Sequence, residues 1–302
     1  MEEQSEHQGM AVRNSELRHT DFYDKVLETG FLYDLQGIVI NSSFAVEAID
    51  LKDDDFESYK TKAFGRGEKE WFVKAFIAEK LSCDLFVLLH KKTDDKDIIR
   101  KIRLTTEIVK EGENERYTVS EQDVEDFSVD EFVNWWKEKT NGWSQIKNYR
   151  PDMDNYLKKS YFDKLLSDNK LSWPLNIDGF YIRKVRSEPG SKSFFEPEIR
   201  ALIENRFTTN TPFLKYDPIY YVNEDTVAWK GLKIIAAELK LPLILCTYSR
   251  RSGEEYIAGI AEIQNDTEDK FIYQNDVKPY ENTATDANDV IQKIRIIINE
   301  QR

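Results

Sequence analysis

Between Leu32 and Asp55 the chain reads LYDLQGIVINSSFAVEAIDLKDDD, a stretch that holds the residue types phosphodiester chemistry asks for. Asp34 opens one short strand, and Asp50-Leu51-Lys52 closes the strand that follows. Side chains two apart on a strand point the same way, so Asp50 and Lys52 share a face, with Val46 and Ala48 behind them. If the two strands form a hairpin, Asp34 and Asp50 lie near one edge. The two carboxylates would then hold Mg²⁺ through oxygen, and Lys52 would orient or activate a water and offset developing charge. Glu47 offers a competing register, and Asp50 to Asp55 also reads as a plain solvated exit from a strand.

A second set of residues suits contact with an anion. Around 183–211, Arg183, Lys184, Arg186, Lys192, Arg200 and Arg206 interleave with Tyr181, Phe194, Phe195 and Phe207. Basic groups with aromatics between them fit phosphate contact and base stacking. Arg183, Lys184, Arg186 and Lys192 are expected to line a surface groove that binds nucleic acid. The competing account is a covered segment whose arginines pair with Glu188, Glu196, Glu198 and Glu204.

Other chemistries have no support. The three histidines and two cysteines are scattered, which speaks against a thiolate or imidazole metal site. Cys83 and Cys246 sit inside apolar runs, where inert buried thiols belong. There is no P-loop, dinucleotide fingerprint or nucleophile elbow. No apolar run is long enough to cross a membrane as a helix, and the N-terminal residues lack the apolar core of a signal peptide, so a cytoplasmic protein is expected. The net charge of −13 argues against a non-specific nucleic-acid coat. Residues 1–150 carry 22 basic and 32 acidic side chains, residues 151–302 carry 21 and 24, so the surplus is concentrated in the first half. Such a surplus serves solubility and fits a basic partner.

The elements that must position these residues recur. Phe22-Tyr23-Asp24-Lys25-Val26-Leu27 matches Tyr161-Phe162-Asp163-Lys164-Leu165-Leu166. Leu35-Gln36-Gly37-Ile38 matches Ile177-Asp178-Gly179-Phe180, and the helical run from Trp71 matches that from Trp229. An apolar strand, a charged turn, a second strand and an acidic loop leading to an amphipathic helix follow in each case. The fold class expected is α/β, internally duplicated, each copy a small mixed sheet flanked by helices. The boundaries drawn are a flexible segment 1–14, a first repeat 15–141, a linker 142–154 and a second repeat 155–302 with the basic insertion at 183–211. The second copy has Asn176 in place of Asp34 and no acidic-x-Lys strand directly after Ile182, so it reads as a binding half. Trp135-Trp136 reads as packing at a helix, and Glu111-Gly112-Glu113 as a hairpin tip.

Over about residues 15–90 the chain resembles the PD-(D/E)XK, or restriction-endonuclease-like, superfamily. Asp34 stands at the family's first metal-binding aspartate, Asp50 at the acidic residue of the D/E-x-K element and Lys52 at its lysine. Glu16 matches the helical glutamate some members use. The resemblance implies a Mg²⁺-dependent nuclease acting on nucleic acid, with a role in prokaryotic restriction or defence. The alternative is a non-catalytic interaction or adaptor protein on an acidic, duplicated α/β scaffold. The oligomeric state is left open by the sequence.

Overall fold

The computed structural model describes residues 25–39 except 27, 44–52, 55–62, 68–93, 96–111, 114–142, 160–185, 196–208, 226–249, 258–265, 271–273 and 282–299. Its strands and helices follow in chain order as β1 (Leu32–Val39), β2 (Phe44–Lys52), α1 (Tyr59–Lys62), α2 (Glu68–Lys80), β3 (Asp84–Lys92), β4 (Asp97–Glu111), β5 (Asn114–Phe127), α3 (Val129–Lys139), α4 (Tyr161–Asp168), β6 (Leu175–Val185), β7 (Glu196–Thr208), α5 (Thr226–Leu239), β8 (Leu243–Ser249), β9 (Ala258–Asn265), β10 (Phe271–Tyr273), β11 (Asn282–Ala284) and α6 (Ala287–Ile297). The fold is mixed α/β, as expected. No helix of the described residues is long and apolar enough to cross a membrane.

The chain divides into two compact units. The first is built mainly from Leu35–Asn176. The second takes Ile177–Lys184 and the described residues from 198 onward, together with residues 25–34. These limits differ from the boundaries at 141 and 155 that composition marks. The reason is packing: α4 and the segment after it bury Phe162, Leu165, Leu166, Leu171 and Trp173 with Val46, Leu88, Phe132 and Trp136 of the first unit.

In the first unit β1 and β2 form an antiparallel hairpin with Gly37 opposite Val46. A Cβ on Gly37 would lie 2.5 Å from Cγ of Pro174, so only glycine fits this close approach. α2 carries the chain over to β3, which pairs parallel with β2, Val46 opposite Phe86 and Asp50 opposite His90. β3–β4 and β4–β5 are antiparallel, and β4 and β5 turn back at Glu111 and Asn114, the hairpin tip the glutamates mark. α2 is apolar on more than one face. Glu70 to Ala75 are all buried, because Trp71, Phe72, Val73 and Ala75 spread apolar surface around the helix. α3 is fixed at its start by a capping box. Ser128 Oγ accepts from Glu131 N at 3.4 Å and Glu131 Oε2 accepts from Ser128 N at 2.8 Å. Trp136 is fully buried and donates its indole N–H to the carbonyl of Ser172 at 2.9 Å, the packing role expected of the tryptophan pair.

In the second unit β6 neighbours β7, β7 pairs parallel with β8 through α5, and β8 pairs antiparallel with β9. β10 and β11 both pair with β9, and α6 follows under an Asp286 cap. Its core gathers Tyr181, Ala201, Ile203, Ile244, Cys246, Val290, Ile291 and Ile294, with Val26 and Leu32 from the start of the chain.

Candidate functional site

β2 alternates its side chains between two surroundings. Phe44, Val46 and Ala48 enter the apolar core shared with Phe86 and Leu88. Asp50 follows on that side and meets His90 across the parallel pair. Asp50 Oδ1 lies 3.0 Å from His90 Nδ1, and Asp97 Oδ1, opening β4, lies 2.8 Å from His90 Nε2. The imidazole is 4% exposed. Tyr161, first residue of α4, stacks on it with ring centroids 3.3 Å apart and planes 1° from parallel. Each ring nitrogen thus faces a carboxylate oxygen at hydrogen-bond distance. Burial, then the Asp97 and Asp50 carboxylates, push the Tyr161 hydroxyl well above its ordinary range, so it stays a phenol.

This cluster is an electrostatic tie. A general base needs a free lone pair, and both nitrogens of His90 are engaged with carboxylates. Toward the Mg²⁺ that the family resemblance implies, Asp50 presents a carboxylate with one oxygen engaged by His90. A divalent ion draws several oxygen ligands at about 2.1 Å. Asp34, the expected co-ligand, falls in the second unit, and alternation along β1 puts it on the side of Gln36. Lys52 ends β2 after a break in register with β3. Glu16 lies outside the described residues. Among the described residues no group of three or more His, Cys, Asp or Glu side chains is placed to hold a metal ion.

The competing register at Glu47 leads to a second cluster, on the other side of β2. Glu47 Oε2 accepts from Lys74 Nζ of α2 at 2.8 Å, and Glu47 Oε1 accepts from the Gln36 amide at 2.9 Å. Gln36 Oε1 in turn accepts from the Ala48 amide at 2.6 Å, and Glu70 Oε1 stands 3.8 Å from Lys74 Nζ. The Lys74 and Glu47 side chains are 1% and 2% exposed. Both oxygens of Glu47 are used, and water does not reach the pair. Such a pair gains little net stability but is costly to break.

Of the basic residues expected to line a groove, Arg183 is exposed near the end of β6. Lys184 lies in β6, while Arg186 and Lys192 lie outside the described residues. The latter part of the supposed insertion is a core strand. β7 runs from Glu196 to Thr208 and buries Ala201 to Asn205. Its arginines pair within the strand, Arg200 with Glu198 at 2.7 Å and Arg206 with Glu204 at 3.0 Å. The apolar run Ala201-Leu202-Ile203, parallel to Leu243-Ile244, decides this over the local charge.

Sequence reasoning missed His90, Asp97 and Lys74. A signal existed for the first two. FAVEAID and DLFVLLH are runs of equal length, and a parallel in-register pairing sets their terminal Asp50 and His90 side by side. Comparison with protein-family models, curated proteins and solved structures finds no match to this chain.

Proposed function

We propose that the chain is an internally duplicated α/β protein that works as a non-catalytic interaction protein, its acidic surface turned to a basic macromolecular partner. The observation that carries this is the capture of Asp50 by His90. The carboxylate that would define an Asp-x-Lys nuclease is engaged in a part-buried contact with His90, and Glu47, its competitor, is held by Lys74. The charge supports the same reading. The net of −13 leaves Asp55 94% and Glu57 76% exposed in the first unit.

Duplication is supported by correspondence of detail as well as order. In both units a parallel pair is joined by a helix, β2–α2–β3 and β7–α5–β8, and an antiparallel strand follows. The residue before a strand glycine performs the same task twice. Gln36, before Gly37, accepts from the amide after Glu47; Asp178, before Gly179, accepts from the amide of Asn205, after Glu204, at 2.9 Å.

The competing reading is a Mg²⁺-dependent nuclease. It is favoured by the strand–strand–helix–strand order that carries Asp34, Asp50 and Lys52, and it requires Asp34 and Asp50 to share one ion. One experiment separates the two. Purified protein is incubated with plasmid, single-stranded DNA and RNA in Mg²⁺ or Mn²⁺, beside Asp50→Asn. No cleavage by either protein and no metal-induced rise in melting temperature are expected. Metal-dependent cleavage that Asp50→Asn abolishes would replace the interaction reading with the nuclease.

A further inference from the structure

The described core residues of the two matching segments lie in each other's units. Aligning FYDKVL with YFDKLL sets Val26 against Leu165. Val26, from the first repeat, is buried in the second unit with Ile203, Ile244 and Ile291. Leu165 and Leu166, from the second repeat, are buried in the first unit with Ala48, Leu88 and Phe132.

The residues that follow each helix keep to the same exchange. Phe31 stacks on Tyr181 at 5.9 Å, and its carbonyl accepts from the Ile182 amide at 2.8 Å, all within the second unit. Arg295 of α6 lies over the Phe31 ring, 4.8 Å from its centroid. On the other side, Ser172 accepts from Trp136 and Tyr161 covers His90, all within the first unit.

We infer that the chain is self-complemented: the opening helix of each repeat completes the core of the other. The inference rests on the duplication proposed above. The first unit's core thereby contains a seat for a short helix with two aromatics followed three residues on by two aliphatics, and the second repeat supplies it. An eight-residue helix such as α4 is not stable by itself, so its order comes from this seat. Its Ser160 cap, accepting from the Asp163 amide at 3.1 Å, sets where it begins.

The test uses the full chain and reads hydrogen exchange by segment. Leu166→Ala opens a cavity among the groups it touches. Exchange should rise on the order of tenfold or more in 44–52 and 84–104, and remain unchanged in 243–263. Val26→Ala should do the reverse. Leu166→Val, a smaller loss, serves the same comparison should Leu166→Ala fail to fold. A rise in 243–263 from a Leu166 variant, or a uniform rise across both regions, would overturn the exchange. Neither result bears on the cleavage assay, so failure here is distinct from failure of the interaction reading.

Discussion

Gly37 has no room for a methyl group, since a Cβ would sit 2.5 Å from one atom of Pro174 and 2.7 Å from another. Gly37→Ala is expected to lower stability by about 1–3 kcal/mol through overpacking. Gly142 has φ +87° and open space around it, so Gly142→Ala should cost only the backbone strain, about 1 kcal/mol. Urea midpoints of the two variants check this; equal losses would mean that Pro174 does not press on β1. The buried Glu47–Lys74 pair makes a sharper prediction. Glu47→Leu alone strands the ammonium and should cost about 3–5 kcal/mol, while Glu47→Leu with Lys74→Met should recover most of the loss. A double variant less stable than the sum of the singles would refute the pairing. The thiols should differ as well. Burial pushes Cys246 up to about 12, while Cys83 at the mouth of β3 is only half buried. Thiol labelling of the native protein should modify Cys83 first and reach Cys246 only on unfolding.

At the scale of elements, β4 and β5 are tied by ion pairs along their exposed side. Arg100 grips Asp126 with two bonds, Nε to Oδ1 at 2.6 Å and Nη2 to Oδ2 at 2.8 Å, and Arg103 holds Asp123 at 2.6 Å. The Arg100 hydrogen bonds hold the Asp126 carboxyl below the usual range against the opposing effect of partial burial. A carboxyl depressed on folding adds stability that is fully present above its unfolded pKa of about 3.9 and is lost as pH falls through the lower folded value. The stability difference between wild type and Asp126→Asn, from urea unfolding at several pH values, should therefore be constant near neutrality and vanish in acid. A difference that persists at low pH would assign the effect to packing. Among the described strands β5 pairs only with β4, and its acidic groups and the left-handed Asp123, φ 49°, blunt that free edge. Much of this was legible. Apolar runs marked the strands β3 and β8, and an acidic loop before an amphipathic run marked α3. Lys74 was not, because a lysine four residues after a glutamate on a helix reads as a solvated pair. Its true partner lies 27 residues back on a strand, a relation no local period carries. β7 was misread for the opposite reason: its charges are conspicuous locally, whereas the strand exists because of its apolar centre and its parallel neighbour.

On the scale of the whole molecule, the two cores are assembled from distant parts of the chain. The first needs Val39 and Trp173, and the second needs Val26 and Ile294. Such a pattern raises contact order and slows folding. It also sets an order of events on the ribosome. A nascent chain released as far as α3 has made β1 to β5 but still lacks α4, so Phe132 and Trp136 have no cover. Val26 and Leu32 wait for α6, which is made much later. At about 5–20 residues per second that delay is on the order of ten seconds to a minute. The earlier-made segment is thus held idle until α6 has been made, and only then does it find its place. Truncated products, which never make α6, would display that unseated segment to the cell's quality control.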